Sequence, residues 1–235
     1  MDLGVVAKQD TPRAAELADR IRKRIDAAVS IDELTAERLG IGGDPVAELA
    51  ACDLVVSIGG DGTFLFTARE VSPTPIMGVN LGEVGFLNAV SPDECIEAVR
   101  EATEQIERGD ADLRELPQIQ ATGDGWTLPP AVNEVAVLGP QRGRDNGLDI
   151  EIRIDGELYS AGRADGVLVA TPAGSSAYNL SEGGPPVHPD VRTFVVTEMC
   201  ADGSMPSLAV SLGATLPVKP PDESPAGVVA DGRTR

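Results

Sequence analysis

The chain has 235 residues, of which 42% are hydrophobic and 3% aromatic, so it can form one or two globular domains with a largely aliphatic core. It carries 38 acidic residues against 19 lysines and arginines, for a net charge of −19, and a surface of that sign repels nucleic acid and anionic membranes. No apolar run approaches the length of a membrane span, so we expect no binding to nucleic acid or to a membrane.

The lysine content separates two interpretations of this acidity. Lysines occur only at Lys8, Lys23 and Lys219. An excess of acids with so few lysines favours a protein that works in concentrated salt, where ions screen the self-repulsion, and this composition resembles that of halophilic archaeal proteins. The alternative is an ordinary acidic cytosolic protein.

The cysteines and the N-terminus both predict a cytoplasmic protein. Cys52, Cys95 and Cys200 are isolated and odd in number, so they form neither a metal-binding spacing nor a disulfide framework, which suits a reducing compartment. The first eight residues lack a signal-peptide pattern and predict a strand.

Residues 1–109 alternate predicted strands and helices, which is typical of a parallel sheet covered by helices. After the first strand we predict a helix opened by Thr11 and Pro12, and then a segment 31–39 that is either strand or helix. A short helix 45–51, a strand 53–58, a helix 63–71 and a strand 75–80 follow. The last predicted helix follows a capping box at Ser91 and Glu94 and runs to about Arg108.

The composition changes near residue 110, where short alternating strands and many Gly, Pro and Asp residues begin. Asp155-Gly156 lies between two alternating runs and predicts a hairpin turn. We therefore expect a β-rich second domain over 110–216. Residues 217–235 predict an irregular tail that returns toward the N-terminal domain, with 228–230 as the only strand candidate.

Residues 55–65 combine an apolar strand-type run, a Gly59-Gly60-Asp61-Gly62 turn and an apolar, helix-capable segment. Such a turn exposes backbone N–H groups to phosphate, and glycines remove the Cβ atoms that would hinder its approach. Asp61 would repel phosphate unless it holds Mg²⁺ or accepts a proton from a hydroxyl that attacks phosphorus. The alternative is a glycine-rich turn with a capping Asp.

Two common nucleotide loops do not fit residues 59–65. Thr63 and Phe64 stand where a P-loop needs Lys and then Ser or Thr. Leu65 stands where a Rossmann fingerprint needs a small residue.

Four further features could contribute to a functional site, and three of them have a structural alternative. Phe86 at the end of a glycine loop could stack on a purine or pack in the core. Asn133-Glu134 could bind a vicinal diol or simply begin a surface strand. Residues 165–179 run from a strand into a turn of small and hydroxyl residues that permits close ligand approach. His188, the only histidine, lies between Val and Pro, which favours a structural hydrogen bond over catalysis.

In this order the motifs resemble those of the NAD kinase family: GGDG at 59–62, a glycine loop ending in GFL at 85–87, NE at 133–134, and DG at 165–166 followed by TPAGSSAYN and GGPPVHP. The resemblance covers about 58–188. Lipid kinases share the first glycine motif but lack the second-domain series.

The resemblance implies a fold, a reaction and an assembly. The fold is an α/β N-terminal domain with a parallel sheet plus a β-rich C-terminal domain, as in NAD kinases and diacylglycerol kinases. The reaction is phosphorylation of the adenosine ribose 2′-hydroxyl of NAD to give NADP, with ATP or polyphosphate as donor and Mg²⁺ or another divalent cation. The assembly is a homodimer or homotetramer in which a neighbouring subunit completes the site.

The resemblance also implies residue roles. Asp61 takes the proton from the 2′-hydroxyl, and the other positions are implied to bind the substrates: Gly59, Gly60 and Gly62 at phosphate, Phe86 beside adenine, Asn133 and Glu134 at ribose, Asp165 near the nicotinamide half, and Leu87, Arg163, Ser176, Ala177, Tyr178, Asn179, Ser181 and Cys200 along the pocket.

The match weakens after Val195, and Asp231-Gly232, which matches the family's late Asp-Gly, is followed by only three residues. A second hypothesis therefore stands beside the enzyme: an NAD(P)-binding regulatory module that has lost phosphorylation.

The acidity leads to a testable prediction. Because molar salt screens repulsion among surface carboxylates, we expect the melting temperature to be higher by about 10 °C or more in 3 M KCl than in dilute buffer. Equal melting temperatures in a circular dichroism melt under the two conditions would contradict the halophilic interpretation.

Overall fold

The computed structural model describes residues 1–82, 87–88, 90–140, 147–201, 203, 205–219 and 226–234, with the backbone alone at 233–234. The chain divides into two compact units, Met1–Arg114 and Glu115–Arg235.

The N-terminal unit contains one parallel four-stranded sheet with its helices. The strands are β1 (Asp2–Ala7), β2 (Ala28–Ile31), β3 (Leu54–Gly59) and β4 (Ile76–Asn80), in the spatial order β2-β1-β3-β4. The helices are α1 (Pro12–Arg24), α2 (Glu33–Leu39), α3 (Asp61–Val71) and α4 (Cys95–Arg108), with a 3₁₀ helix over Val46–Ala51. The predicted α/β class with a parallel sheet is confirmed.

The core of this unit follows from the sequence pattern. Strand β3 is buried at every position, as expected for a central parallel strand covered on both faces. Helix α1 buries Ala14, Leu17, Ala18 and Ile21 at helical spacing. These side chains pack in one cluster with alternate residues of the sheet, such as Val5 and Val56.

The ambiguous segment 31–39 contains the end of a strand and a helix, and Asp32 lies at the junction. The Asp32 carboxylate accepts hydrogen bonds from the N–H of Thr35 at 3.1 Å and of Ala7 at 3.0 Å. It therefore caps α2 and ties that helix to β1. Thr11 is the N-cap residue of α1 as predicted, but its hydroxyl donates to the Gln9 carbonyl and forms no cap bond with the first turn.

The C-terminal unit is β-rich, as predicted. Its strands are β5 (Thr122–Gly123), β6 (Trp126–Thr127), β7 (Glu134–Leu138), β8 (Leu148–Ile154), β9 (Glu157–Ala164), β10 (Gly166–Ala170), β11 (Thr193–Met199), β12 (Leu208–Ser211), β13 (Val218–Lys219), β14 (Gly227–Ala230) and β15 (Arg233–Thr234), with a 3₁₀ helix over Gly174–Ser176 and the short helix α5 (Tyr178–Ser181).

These strands form two packed sheets and one small hairpin. A six-stranded sheet has the order β12-β11-β10-β7-β14-β15, and a three-stranded sheet has the order β13-β8-β9. Inward-facing residues of both sheets, including Ile150, Ile152, Val167 and Val196, share one hydrophobic cluster. The predicted Asp155-Gly156 turn joins β8 to β9.

The C-terminal stretch corrects the sequence analysis. Residues 217–235 were expected to form an irregular tail with one strand, directed toward the N-terminal domain. Instead β13 pairs with β8, and β14 pairs with β7 through four residue pairs. The described strands of this stretch belong to the sheets of the C-terminal unit, because ladder hydrogen bonds and pairing neighbours outweigh weak local propensity.

Within the described ranges, no helix has both the length and the apolar character needed to cross a bilayer.

Candidate functional site

The glycine turn lies where β3 ends and α3 begins, at the carboxyl edge of the parallel sheet. Gly59 must lack a side chain, since a Cβ there would overlap the Thr63 side chain. A Cβ at Gly60 or Gly62 would meet open space among the described atoms. Because the first N–H groups of a helix have no intrahelical partner, this open turn can receive phosphate oxygens.

Asp61 is the first residue of α3, and its carboxylate is held by the chain that follows β4. Its Oδ1 accepts a hydrogen bond from the Asn88 side-chain amide at 2.8 Å and a long one from the Leu87 N–H at 3.4 Å. Asn88 is buried, at 4% exposure. A Cβ on Gly78 of β4 would overlap the Oδ1 atom of Asn88. The absence of a side chain at Gly78 therefore leaves room for the Asn88 amide.

Asn88 was missed by the sequence analysis. An asparagine after an apolar loop carries no motif, and only the fold brings it to an acid 27 positions earlier. Phe86, the predicted adenine contact, lies outside the described residues, whereas its neighbour Leu87 is half-buried beside Asp61.

The predicted ribose pair lies at the start of β7 in the C-terminal unit. Asn133 and Glu134 are 8% and 7% exposed. Their Oδ1 and Oε2 atoms are buried without a hydrogen-bond partner among the described residues. Since buried polar atoms are nearly always paired in folded proteins, these two oxygens indicate a place for hydroxyl or N–H donors of a ligand.

The pKa of Glu134 is raised to about 7, mainly because burial disfavours its charged form and further because of the nearby negative charge of Asp231. At neutral pH the carboxyl group is therefore present in both forms, so it can accept or donate a hydrogen bond.

The small-residue turn at 171–177 is bonded directly to this pair. The Thr171 N–H donates to the Asn133 carbonyl at 2.8 Å, and the Thr171 hydroxyl donates to the Val132 carbonyl. A Cβ on Gly174 would overlap the Asn133 carbonyl. The glycine thus lets the turn pack against the Asn133 backbone, and close approach of a ligand to the turn stays a prediction.

The predicted pocket residues after this turn occupy different environments. Ser176, Ala177 and Tyr178 are half-buried, with Tyr178 packed against the cluster of Leu168, Ala170 and Met199. Ser181 is exposed at the end of α5.

The side chain of Asn179, a predicted binding residue, is engaged within the protein. Its side chain is fully buried, donates to the carbonyls of Ser175 and Pro185 at 3.0 and 3.1 Å, and accepts from the Thr197 hydroxyl at 2.8 Å. These bonds use both amide hydrogens within the protein, so Asn179 holds the turn, and its role in binding stays a prediction.

Asp165, Arg163 and Cys200 lie at the other end of the central strand β10. Glu134 pairs with Ala170 at one end of β10, and Leu138 pairs with Gly166 at the other. At the rise of an extended strand, Asp165 and Thr171 are separated by about 20 Å. Asp165 is buried, whereas Arg163 and Cys200 are exposed. The predicted residues of this unit therefore form two separate groups.

His188 makes a local structural contact, as predicted. It is exposed, its Nδ1 accepts a hydrogen bond from the Asp190 N–H at 3.3 Å, and it lies 3.5 Å from the Asp190 carboxylate.

The described residues contain no group of three His, Cys, Asp or Glu side chains placed to hold a metal ion. Magnesium in nucleotide sites is commonly bound by one or two carboxylates together with substrate phosphates. Asp61, at an open turn suited to phosphate, fits such a shared ion, with the phosphates supplying the remaining ligands.

Two family models match the chain. The model of the ATP-NAD kinase N-terminal domain matches residues 45–111, and that of the C-terminal domain matches 132–235. The NAD kinase of Natronomonas pharaonis is 69% identical over all of this chain and 87% of that protein. The NAD kinase of Halobacterium salinarum is 52% identical over 93% of this chain and 80% of that protein.

The fold of this chain is similar to the folds of two solved structures. An NAD kinase from Archaeoglobus fulgidus in complex with ATP has a TM-score of 0.77 and 29% identity, over all of this chain and 86% of that one. Yeast NADH kinase complexed with NADH has a TM-score of 0.85 at 22% identity, over all of this chain and 76% of that one.

The raised pKa of Glu134 predicts an unusual pH dependence of stability. Between about pH 4.5, the ordinary value, and about 7, Glu134 binds a proton in the folded chain but not in the unfolded chain. Its contribution therefore makes the free energy of unfolding fall as pH rises through this window. Glu134→Gln removes that contribution. The free energy of unfolding of the variant, relative to that of wild type, should therefore increase from pH 5 to pH 8, as measured by urea unfolding at constant KCl. The exposed Glu157→Gln is the control, and parallel curves for wild type and Glu134→Gln would refute the assignment.

Proposed function

The chain belongs to the NAD kinase family, and we propose that it transfers the terminal phosphoryl group of ATP to the 2′-hydroxyl of the adenosine ribose of NAD, giving NADP. The main structural support for this proposal is the position of the Asp61 carboxylate, which Asn88 holds at an open glycine turn.

Phosphoryl transfer proceeds through a loose transition state, so catalysis consists mainly of positioning and charge neutralisation. In the proposed mechanism the N–H groups around Gly60 and Gly62 bind donor phosphate oxygens. Asp61 accepts the proton of the attacking hydroxyl. A carboxylate is a weak base for an alcohol, so the proton moves late, after the bond from oxygen to phosphorus has begun to form.

The C-terminal unit supplies the groups proposed to bind NAD. The Asn133 Oδ1 and Glu134 Oε2 atoms are buried acceptors without partners among the described residues. Neighbouring ribose hydroxyls can donate to both. Ser176, Ala177 and Tyr178 remain the proposed lining of the pocket, and Ser181 stays a weaker proposal because its side chain is exposed.

The nature of the donor is part of the proposal. The Archaeoglobus fulgidus NAD kinase binds ATP in its solved structure, and the matching family models are those of ATP-NAD kinases, which supports ATP over polyphosphate. A divalent cation such as Mg²⁺, held mainly by donor phosphates at the glycine turn, would neutralise charge on the transferred group. A cytoplasmic location remains a prediction.

A homodimer or homotetramer is supported by the separation within the C-terminal unit. Asp165 lies at the opposite end of β10 from Glu134 and the 171–177 turn. The family resemblance implies that a neighbouring subunit completes the site, and we propose that the group of Arg163, Asp165 and Cys200 serves the site of such a neighbour.

Replacing Asp61 tests the reaction directly. We expect Asp61→Asn to lower kcat by roughly 10²–10⁴-fold, the usual contribution of a general base. The Kd for NAD should stay within about threefold, because the buried acceptors proposed for NAD lie in the other unit. NADP formation is measured in molar KCl with Mg²⁺ and with either ATP or polyphosphate as donor.

The exposed Asp26→Asn is the matched control for this experiment and should behave as wild type. Wild-type protein that binds NAD without forming NADP would select the regulatory module instead. A normal rate for Asp61→Asn would remove Asp61 from the mechanism.

The bond between Asn88 and Asp61 generates a further prediction. Asn88→Leu keeps the approximate size of the side chain but removes the donor, so the carboxylate loses its shorter hydrogen bond. We expect kcat to fall about tenfold, the order of one hydrogen bond to a charged group, with KM for NAD little changed. Unaltered kcat in a variant of native melting temperature would show that Asn88 does not position Asp61.

A further inference from the structure

Asp231 lies in the turn between β14 and β15, far along the chain from the ribose pair. Its carboxylate accepts hydrogen bonds from three consecutive backbone N–H groups: Val132 at 2.8 Å, Asn133 at 2.8 Å and Glu134 at 3.2 Å. Three successive amides directed at one anion form a concave binding arrangement for negative charge, and hydrogen bonds to an ionised acceptor are the stronger kind.

The contact is reciprocal. The Asp231 N–H donates to the Glu134 carbonyl at 3.1 Å, at the point where β14 leaves its pairing with β7. Asp231 has φ of 46° and Gly232 has φ of 73°, so the turn directs the carboxylate back onto residues 132–134. Together with Thr171 on the neighbouring strand, Asp231 fixes the backbone of Asn133 and Glu134 from two sides.

A second Asp-Gly turn in the same unit shows what such a turn needs by itself. Asp155 and Gly156 have φ of 51° and 89°, and the Asp155 carboxylate accepts a hydrogen bond from the Thr215 N–H at 2.9 Å. That carboxylate is exposed. An Asp-Gly turn therefore does not require a carboxylate bound by three amides. The three bonds of Asp231 act instead on the backbone of residues 132–134.

The charge of Asp231 also acts on the ribose pair. Two carboxylates close together repel each other, and Asp231 is the second cause of the raised pKa of Glu134, after burial. The three backbone N–H groups that donate to the Asp231 carboxylate stabilise negative charge at this position. A neutral residue could occupy the turn between β14 and β15 without repelling the Glu134 carboxylate.

We propose that Asp231 is a positioning residue of the NAD site: without touching NAD, it sets the backbone of Asn133 and Glu134 so that their unpaired oxygens meet the ribose. This inference rests on the proposed function, because it takes those two side chains as the ribose ligands.

The test compares Asp231→Asn with the matched control Asp155→Asn in the full chain at 3 M KCl. Asparagine tolerates the left-handed conformation, but its amide nitrogen cannot accept, so at least one of the three bonds is lost. We expect the Kd for NAD by calorimetry, and KM for NAD, to rise about tenfold or more. We expect kcat and KM for ATP to stay within about threefold, and Asp155→Asn to match wild type.

Two readouts separate positioning from a purely structural role. The midpoint of the pH dependence of NAD binding should move to lower pH in Asp231→Asn, because the charge that raises the pKa of Glu134 is gone. The losses in Glu134→Gln and Asp231→Asn should also be less than additive in the double variant, as expected for residues acting through one another.

Each outcome has a distinct meaning. Wild-type protein without NADP formation refutes the proposed function itself. Active wild type with Asp231→Asn equal to Asp155→Asn in NAD affinity and pH midpoint refutes the positioning role alone. If Asp231→Asn does not fold, Asp231→Glu replaces it, since it keeps the charge but displaces the carboxylate by one methylene. Asp231→Glu should then lose NAD affinity, and unchanged affinity would refute the role.

Discussion

Hydrogen-bond donors fix the orientation of a carboxylate, and the proposed function of this chain depends on two carboxylates held in this way. In the N-terminal unit the donors to Asp61 are the Asn88 amide and the Leu87 N–H. In the C-terminal unit Asp231 is held by three consecutive backbone amides. The first carboxylate is proposed to accept a proton, whereas the second is proposed to position other residues, and both of these roles require a fixed geometry.

The sheets explain how these contacts arise. Strand β3 is central and buried in a parallel sheet, so its carboxyl end delivers the glycine turn to the edge where α/β folds bind ligands. In the C-terminal unit β7 lies between β10 and β14. The start of β7 therefore receives Thr171 from one neighbouring strand and Asp231 from the other. A glycine at 174 allows the first approach, and a left-handed turn at Asp231 allows the second.

Much of this could be predicted from local sequence. Alternation of strands and helices predicts the first unit, Asp155-Gly156 predicts a hairpin, and three glycines around Asp61 predict a phosphate turn. Contacts between distant residues could not be predicted. Nothing near Asn88 indicates that it bonds to Asp61, and Asp231 meets amides 97–99 positions earlier. Residues 228–230 were predicted as a strand candidate, but the pairing of β14 with β7 was not predicted, because it depends on residues about 90 positions away in the chain. The motif that contains Asn179 also does not show that its amide forms hydrogen bonds inside the protein.

The central claim is transfer of a phosphoryl group to one hydroxyl of a dinucleotide. It is tested most directly by ³¹P NMR of NAD incubated with the purified protein, ATP and Mg²⁺ in molar KCl. The account predicts a new phosphomonoester resonance that matches authentic NADP with its phosphate on the 2′-oxygen, appearing together with ADP. Hydrolysis of ATP to inorganic phosphate with NAD unchanged, or a phosphate on a different hydroxyl, would contradict it.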